Sequence, residues 1–299
     1  MTIAYSPCPN DTFVFHAWSH GLIDGAPKLE VTHADIDVTN NLLGGDGLDV
    51  MKISYAALPE ALEQYELLPC GGALGRGCGP LVLARPNQAD QTTDGSSGGS
   101  STATGSAIGA SGTARLAGGV VAVPSLKSTA YLLFQRWAED NVPGGLSGIG
   151  EIRVLPFHEI MPAIRDGLVD AGLVIHEARF TYPEFGLDCL ADLGDWWEGV
   201  TGAPIPLGAI VARRALGPDR IAEITRAVRA SVDYAFANPE ASREYVMDKA
   251  QEMDPEVAKS HIALYVNEFT RDLGPEGLAA VQRLLGIPVE AAVQSAQTA

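Results

Sequence analysis

A chain of 299 residues with 46% hydrophobic and 19% charged side chains is long enough for one large or two modest cores, and too apolar for a disordered tail. Its formal net charge of -17 argues against nucleic acid or an anionic membrane as partner, because a polyphosphate binder needs a concentrated basic face to displace counterions. A small anion stays open, since a few local donors outweigh a screened global field.

The start, Thr2-Ile3-Ala4-Tyr5, reads as a structural strand. It has no basic leader, and no apolar run reaches the roughly 18 residues of a membrane span, so the expectation is a cytoplasmic protein. Cys8, Cys70, Cys78 and Cys189 lack C-x-x-C or His/Cys ligand spacing and read as reduced thiols without a metal. In Ser6-Pro7-Cys8-Pro9-Asn10-Asp11-Thr12 the prolines hold the backbone extended before Asn10 or Asp11 caps a helix over 12–22. A capped helix directly after a strand presents N–H groups that suit an anion. His16 and His20 have zinc-ligand spacing, but no third ligand follows, so they read as helix-face residues.

Alternation over 29–37 predicts a strand, and 38–43, with Asn40, a short helix. Residues 49–54 read as a brief strand ending in Lys52 and Ser54, where a cation and a hydroxyl can take a carboxylate, and 55–65 as a helix. Gly71 to Gly79 matches neither the dinucleotide turn nor the P-loop and reads as a flexible turn leading into a strand at Pro80 to Ala84. From 87 to 117 the composition turns to Gly, Ser, Thr and Ala; such a stretch buries too little to offset its ordering entropy and is expected to be a disordered insert.

Strands are expected at 119–123 and 152–155, with helices after Ser128-Thr129 and over 159–168, Pro162 falling in the first turn. Leu173, Val174 and Ile175 then form a buried strand that stops at His176, followed by Glu177 and Arg179, whose roles stay open. At the carboxyl end of a parallel strand His176 faces a ligand crevice, or it is only a residue at a helix start with a satisfied ring. A strand at 205–213 resembles 79–85 in ending Ala-Arg. The pair reads as two crossings that divide the chain into a first lobe, 1–86 with 207–299, and a second, 118–206. The remainder is helical, with 3-4 apolar spacing from Ile221 to Ala235 and from Ala258 to Phe269.

Four stretches carry a family resemblance: S-P-C-P-N-D-T-F from Ser6, K-I-S-Y-A-A from Lys52, G-G-A-L-G-R-G-C-G-P-L-V from Gly71 and A-G-L-V-I-H-E-A-R-F-T-Y from Ala171. Together they resemble the 1,4-dihydroxy-6-naphthoate synthase family of the futalosine route to menaquinone, over nearly the whole chain. The resemblance implies an α/β, two-lobed type II periplasmic-binding-protein-like fold, each lobe doubly wound, with two crossover strands and the substrate between them. It implies a lyase that cleaves cyclic dehypoxanthine futalosine, a carboxylate, to 1,4-dihydroxy-6-naphthoate without metal or redox cofactor. The family's catalytic base falls on His176, and its substrate contacts on Lys52, Ile53 and Ser54, on Thr129 and Ala130, and on Asn40. The turn before Thr129 departs from the pattern, which puts Ser128's contribution in question, and the insert is foreign to it.

A neutral imidazole can abstract the proton that starts an elimination, and formation of an aromatic product would drive the step. The same scaffold commonly serves as a non-catalytic solute-binding protein, here for a small carboxylate, which would need an export signal or an anchor cysteine. A ligand-sensing domain would need a DNA-binding companion. An enzyme is therefore the expectation, with the oligomeric state open, a homodimer included.

Overall fold

The structure is a computed structural model that describes residues 1–45, 48–86, 113–250 and 254–289. Most of the expected insert, 87–112, lies outside these residues. The chain groups into two compact units, Met1–Gly79 with Lys127–Leu132 and Trp197–Ala299, and Pro80–Leu126 with Leu133–Trp196.

The first unit holds one sheet. Its strands are β1 (Thr2–Tyr5), β2 (Glu30–His33), β3 (Val50–Ser54), β4 (Tyr65–Leu67), β5 (Ala73–Gly75) and, after the second unit, β11 (Ile205–Arg213). The order is β2-β1-β3-β11-β4, with β5 also on β11. β1 runs parallel to β2 and β3, whereas β11 runs antiparallel to β3, β4 and β5. β3 is buried at every position, as expected of a strand covered on both faces.

The second unit repeats that winding. Its strands are β6 (Leu81–Ala84), β7 (Val120–Val123), β8 (Glu151–Val154), β9 (Ala171–Val174) and β10 (Asp188–Asp192) in the order β10-β6-β9-β7-β8. The parallel run β8-β7-β9 matches β2-β1-β3, and β6 closes it antiparallel to β9 as β11 closes the first sheet. Because the order reverses at β1/β3 and again at β7/β9, each sheet has a switch point, and ligands of open α/β sheets collect outside the strands' carboxyl ends there. The helix Phe157–Arg165 lies on β9 through Ile160 and Ile164, in a core with Leu81, Leu83 and Val174. A Cβ at Gly172 would stand 2.5 Å from Ile160 Cγ2 and 2.7 Å from Ile164 Cδ1, so glycine lets helix and strand approach.

Several elements differ from expectation for identifiable reasons. The first helix is Pro9–Ser19, because Pro9 occupies an opening position where its missing N–H costs nothing; Asp11 falls in the first turn and is no cap. The helix expected over 55–65 is a short turn-helix, Leu58–Ala61, followed by β4, and the glycine stretch contains β5. Pro162 lies inside its helix, which begins earlier, at Phe157. β6, assigned by sequence to the first lobe, pairs with β9 and β10 and so counts with the second unit, while 127–132 and 197–206 count with the first. β10 pairs antiparallel with β6 and had no counterpart among the expected strands.

Candidate active site

Within the first unit, residues far apart in sequence meet at the carboxyl end of β3. The helix Ile36–Asn41 brings Asn40 there, buried to 1% exposure, where its Nδ2 donates to Ser54 Oγ at 3.1 Å. In return Ser54 N donates to Asn40 Oδ1 at 2.9 Å. The helix Thr129–Asn141 begins beside them: Thr129 Oγ1 accepts from Ala56 N at 3.1 Å and donates to Leu207 O at 3.0 Å, and Asn40 Nδ2 also reaches Lys127 O at 3.5 Å. Ser128 Oγ accepts from Tyr131 N at 3.1 Å, and Ser128, Thr129 and Ala130 are all buried. The opening N–H groups of a helix have no intrahelical acceptor, so this end, beside the Ser54 hydroxyl, is suited to a carboxylate.

Lys52 lies on the same strand with its ammonium in an ion pair with Asp11. Both side chains are buried, and Asp11 is held from its own loop by Ser6 N at 3.3 Å and by Asn10 Nδ2 at 2.8 Å. Gly208, opposite Ser54 on β11, makes room for the lysine: a Cβ there would stand 2.7 Å from Lys52 Cε. Ile53 is fully buried and pairs with Ala209 on β11.

His176 belongs to the second unit, just past the end of β9 at that sheet's switch point. It has φ 53° and is the one non-glycine with positive φ among the described residues. A left-handed backbone at such a residue costs of order 1–3 kcal/mol and persists only where the surroundings over-determine it, which is typical of functional sites. The imidazole is partly exposed and stands edge-on to Phe157, with ring centroids 5.6 Å apart. The helix that follows, Ala178–Thr181, is a single turn, too short for a strong dipole.

Glu177 and Arg179, left open by the sequence, are now distinguishable. Glu177 is buried, its Oε2 has no hydrogen-bond partner, and a carboxylate oxygen lies within 4.8 Å of a His176 ring nitrogen. Arg179 is engaged with Asp192 in an ion pair. Burial raises the thiol of Cys189 to about 11 and that of Cys70 to about 12, so neither is a ready nucleophile.

The structure thus gathers Asn40, Lys52, Ile53, Ser54, Ser128, Thr129 and Ala130 in the first unit and puts His176 in the second. Sequence reading missed Asp11, Gly208 and the buried state of Glu177. For Asp11 a signal existed: a proline opening the helix puts the aspartate in its first turn, where it cannot cap. For Gly208 none did, because its reason is a neighbour on another strand.

Comparison with known proteins bears on this arrangement. A family model described as menaquinone biosynthesis matches residues 1–290. A 1,4-dihydroxy-6-naphthoate synthase of Streptomyces coelicolor is 60% identical over 285 residues, 95% of this chain and 91% of that protein. The enzyme of that name from Thermus thermophilus is 42% identical over 95% of this chain and 92% of its own. Among solved structures, a protein of Archaeoglobus fulgidus superposes with TM-score 0.79 at 30% identity, covering 100% of this chain and 98% of that one. The alkanesulfonate-binding protein SsuA of Xanthomonas axonopodis, at TM-score 0.65 and 14% identity over 98% of this chain and 96% of its own, shares the periplasmic-binding-protein-like fold alone.

Proposed function

Since the chain belongs to the menaquinone-biosynthesis family whose curated relatives are 1,4-dihydroxy-6-naphthoate synthases, we propose that it forms 1,4-dihydroxy-6-naphthoate from cyclic dehypoxanthine futalosine, as a cytoplasmic lyase of the futalosine route with His176 as general base. The observation that carries the residue assignment is the backbone of His176, held left-handed at φ 53° where β9 ends. Strain there aims the imidazole at the cost of stability, which is reasonable for a group that must meet one proton of a bound substrate. The imidazole takes that proton, the electron pair left behind expels the sugar-derived fragment, and aromatisation of the naphthoate draws the reaction forward.

The substrate carboxylate is received by the hydrogen-bonded group at the end of β3: the Ser54 hydroxyl, the first N–H groups of the helix beginning at Thr129 and Ala130, and the neighbouring Lys52. Asn40 fixes Ser54 by its reciprocal bonds, and Ser128 holds the helix start. These donors are uncharged save one, so recognition depends more on geometry than on field, in keeping with a chain of net charge -17. Likeness to solute-binding proteins at 14% identity is a matter of fold and gives a purely binding role no support.

The test is direct. Purified protein is incubated with cyclic dehypoxanthine futalosine and the product followed by absorbance and mass. The naphthoate is expected; substrate recovered intact at stoichiometric enzyme refutes the assignment.

A further inference from the structure

Asp11 and Lys52 form an ion pair that the reaction above does not require. Asp11 is 2% exposed and Lys52 5%. A buried pair of this kind is weak evidence for stability, because desolvation offsets most of the attraction and apolar residues of similar volume commonly serve as well. Its surroundings are arranged for geometry. The aspartate is fixed in the first turn of Pro9–Ser19 by Asn10 Nδ2 on one oxygen at 2.8 Å and by Ser6 N on the other at 3.3 Å. The lysine stem is confined on the far side by β11, where Gly208 alone leaves the gap it fills. Three elements thereby immobilise a side chain that is otherwise a flexible point charge, two residues from the Ser54 hydroxyl.

We propose that Asp11 is a positioning residue acting through Lys52: it fixes the ammonium so that cation and Ser54 hydroxyl meet the substrate carboxylate in a single geometry. This rests on the activity proposed above. Asp11 touches no substrate atom, so its influence passes through Lys52 and appears in substrate affinity, leaving the proton transfer intact.

A kinetic double-mutant cycle on the full chain tests this, with KM, kcat and melting temperature measured for Asp11→Asn, Lys52→Met and the pair. Asp11→Asn is expected to raise KM about tenfold with kcat within about threefold, as for loss of ground-state binding. Added to Lys52→Met it changes KM by less than about twofold, and the pair melts above Asp11→Asn alone, because no buried charge is left without its partner. An equal KM effect of Asp11→Asn in both backgrounds, or an effect confined to kcat, overturns the inference. If Asp11→Asn does not fold, Gly208→Ala displaces the lysine with Asp11 intact: a similar rise in KM supports the inference and an unchanged KM overturns it. Wild type is assayed first, and its failure to form the naphthoate would refute the activity itself rather than the role of Asp11.

Discussion

Asn40 and Ser54 grip each other through two hydrogen bonds, the amide donating to the hydroxyl at 3.1 Å and the backbone N–H of Ser54 donating back to the amide oxygen at 2.9 Å. Both residues are buried, so neither lost bond is replaced by water. Asn40→Leu orphans the Ser54 N–H and is expected to cost about 1–3 kcal/mol, read as a lower urea midpoint at unchanged slope. Ser54→Ala removes the hydroxyl but leaves the backbone bond. It is expected to cost about 1 kcal/mol of stability while raising KM about tenfold.

Gly172 is predicted to be among the least replaceable residues of the second unit. Its missing Cβ is what lets Ile160 and Ile164 reach β9, and Gly172→Ala forces a methyl into space those side chains fill. The expected loss is about 1–3 kcal/mol, with far-ultraviolet dichroism unchanged. Trimming the neighbour as well, in Gly172→Ala with Ile160→Val, should recover part of it, and a strictly additive double mutant would contradict the packing explanation.

Stability should fall on mild acidification. Burial lowers the pKa of His16, helped by His20, and that of His33, where burial and Lys249 outweigh the opposing pull of Asp11 and Asp248. His33 keeps its Nε2 on the Tyr245 hydroxyl at 3.1 Å, and that hydroxyl also meets Tyr5 at 2.8 Å. A histidine whose folded pKa lies below its unfolded value binds more protons when unfolded. These two therefore leave stability intact above about pH 6.5 and erode it as pH falls through and below that value. Replacing His33 by Gln is expected to flatten the melting temperature between about pH 7 and 5; an unaltered slope would remove it from the account.

Glu177 is buried and adjoins His176 in the chain. Its Oε2 is buried without a hydrogen-bond partner, which costs free energy. Glu177→Gln is expected to leave the protein as stable or up to about 1 kcal/mol more so, while turnover drops about tenfold because the group beside His176 has changed. Lower stability with full turnover would make Glu177 an ordinary structural residue.

Much of this site is legible in sequence, and the remainder is hidden for physical reasons. β9 ending near His176, and β3 ending in Lys52 and Ser54, follow from apolar runs that stop abruptly, a local property. The direction of pairing is not local: β6 and β11 run antiparallel to their neighbours, and nothing in an apolar run encodes that. β5 went unread because its three residues lie among glycines, and β4 because Tyr65 also fits a helical face. Asn10 or Asp11 was expected as the cap because both residue types commonly are; with Pro9 opening the helix both fall inside it, and the Asp11 carboxylate pairs with Lys52. The left-handed backbone of His176 has no sequence signature, yet it is the feature that most sets that residue apart.

The most direct measurement is single-turnover kinetics of His176→Asn with cyclic dehypoxanthine futalosine, beside its binding affinity and melting curve. Asparagine tolerates a left-handed backbone better than most residues, so the turn at φ 53° can be kept while the imidazole is lost. The account predicts an intact fold, affinity within a few-fold of wild type and a rate reduced about 10²-fold or more. A folded, substrate-binding His176→Asn that turns over at the wild-type rate would contradict it.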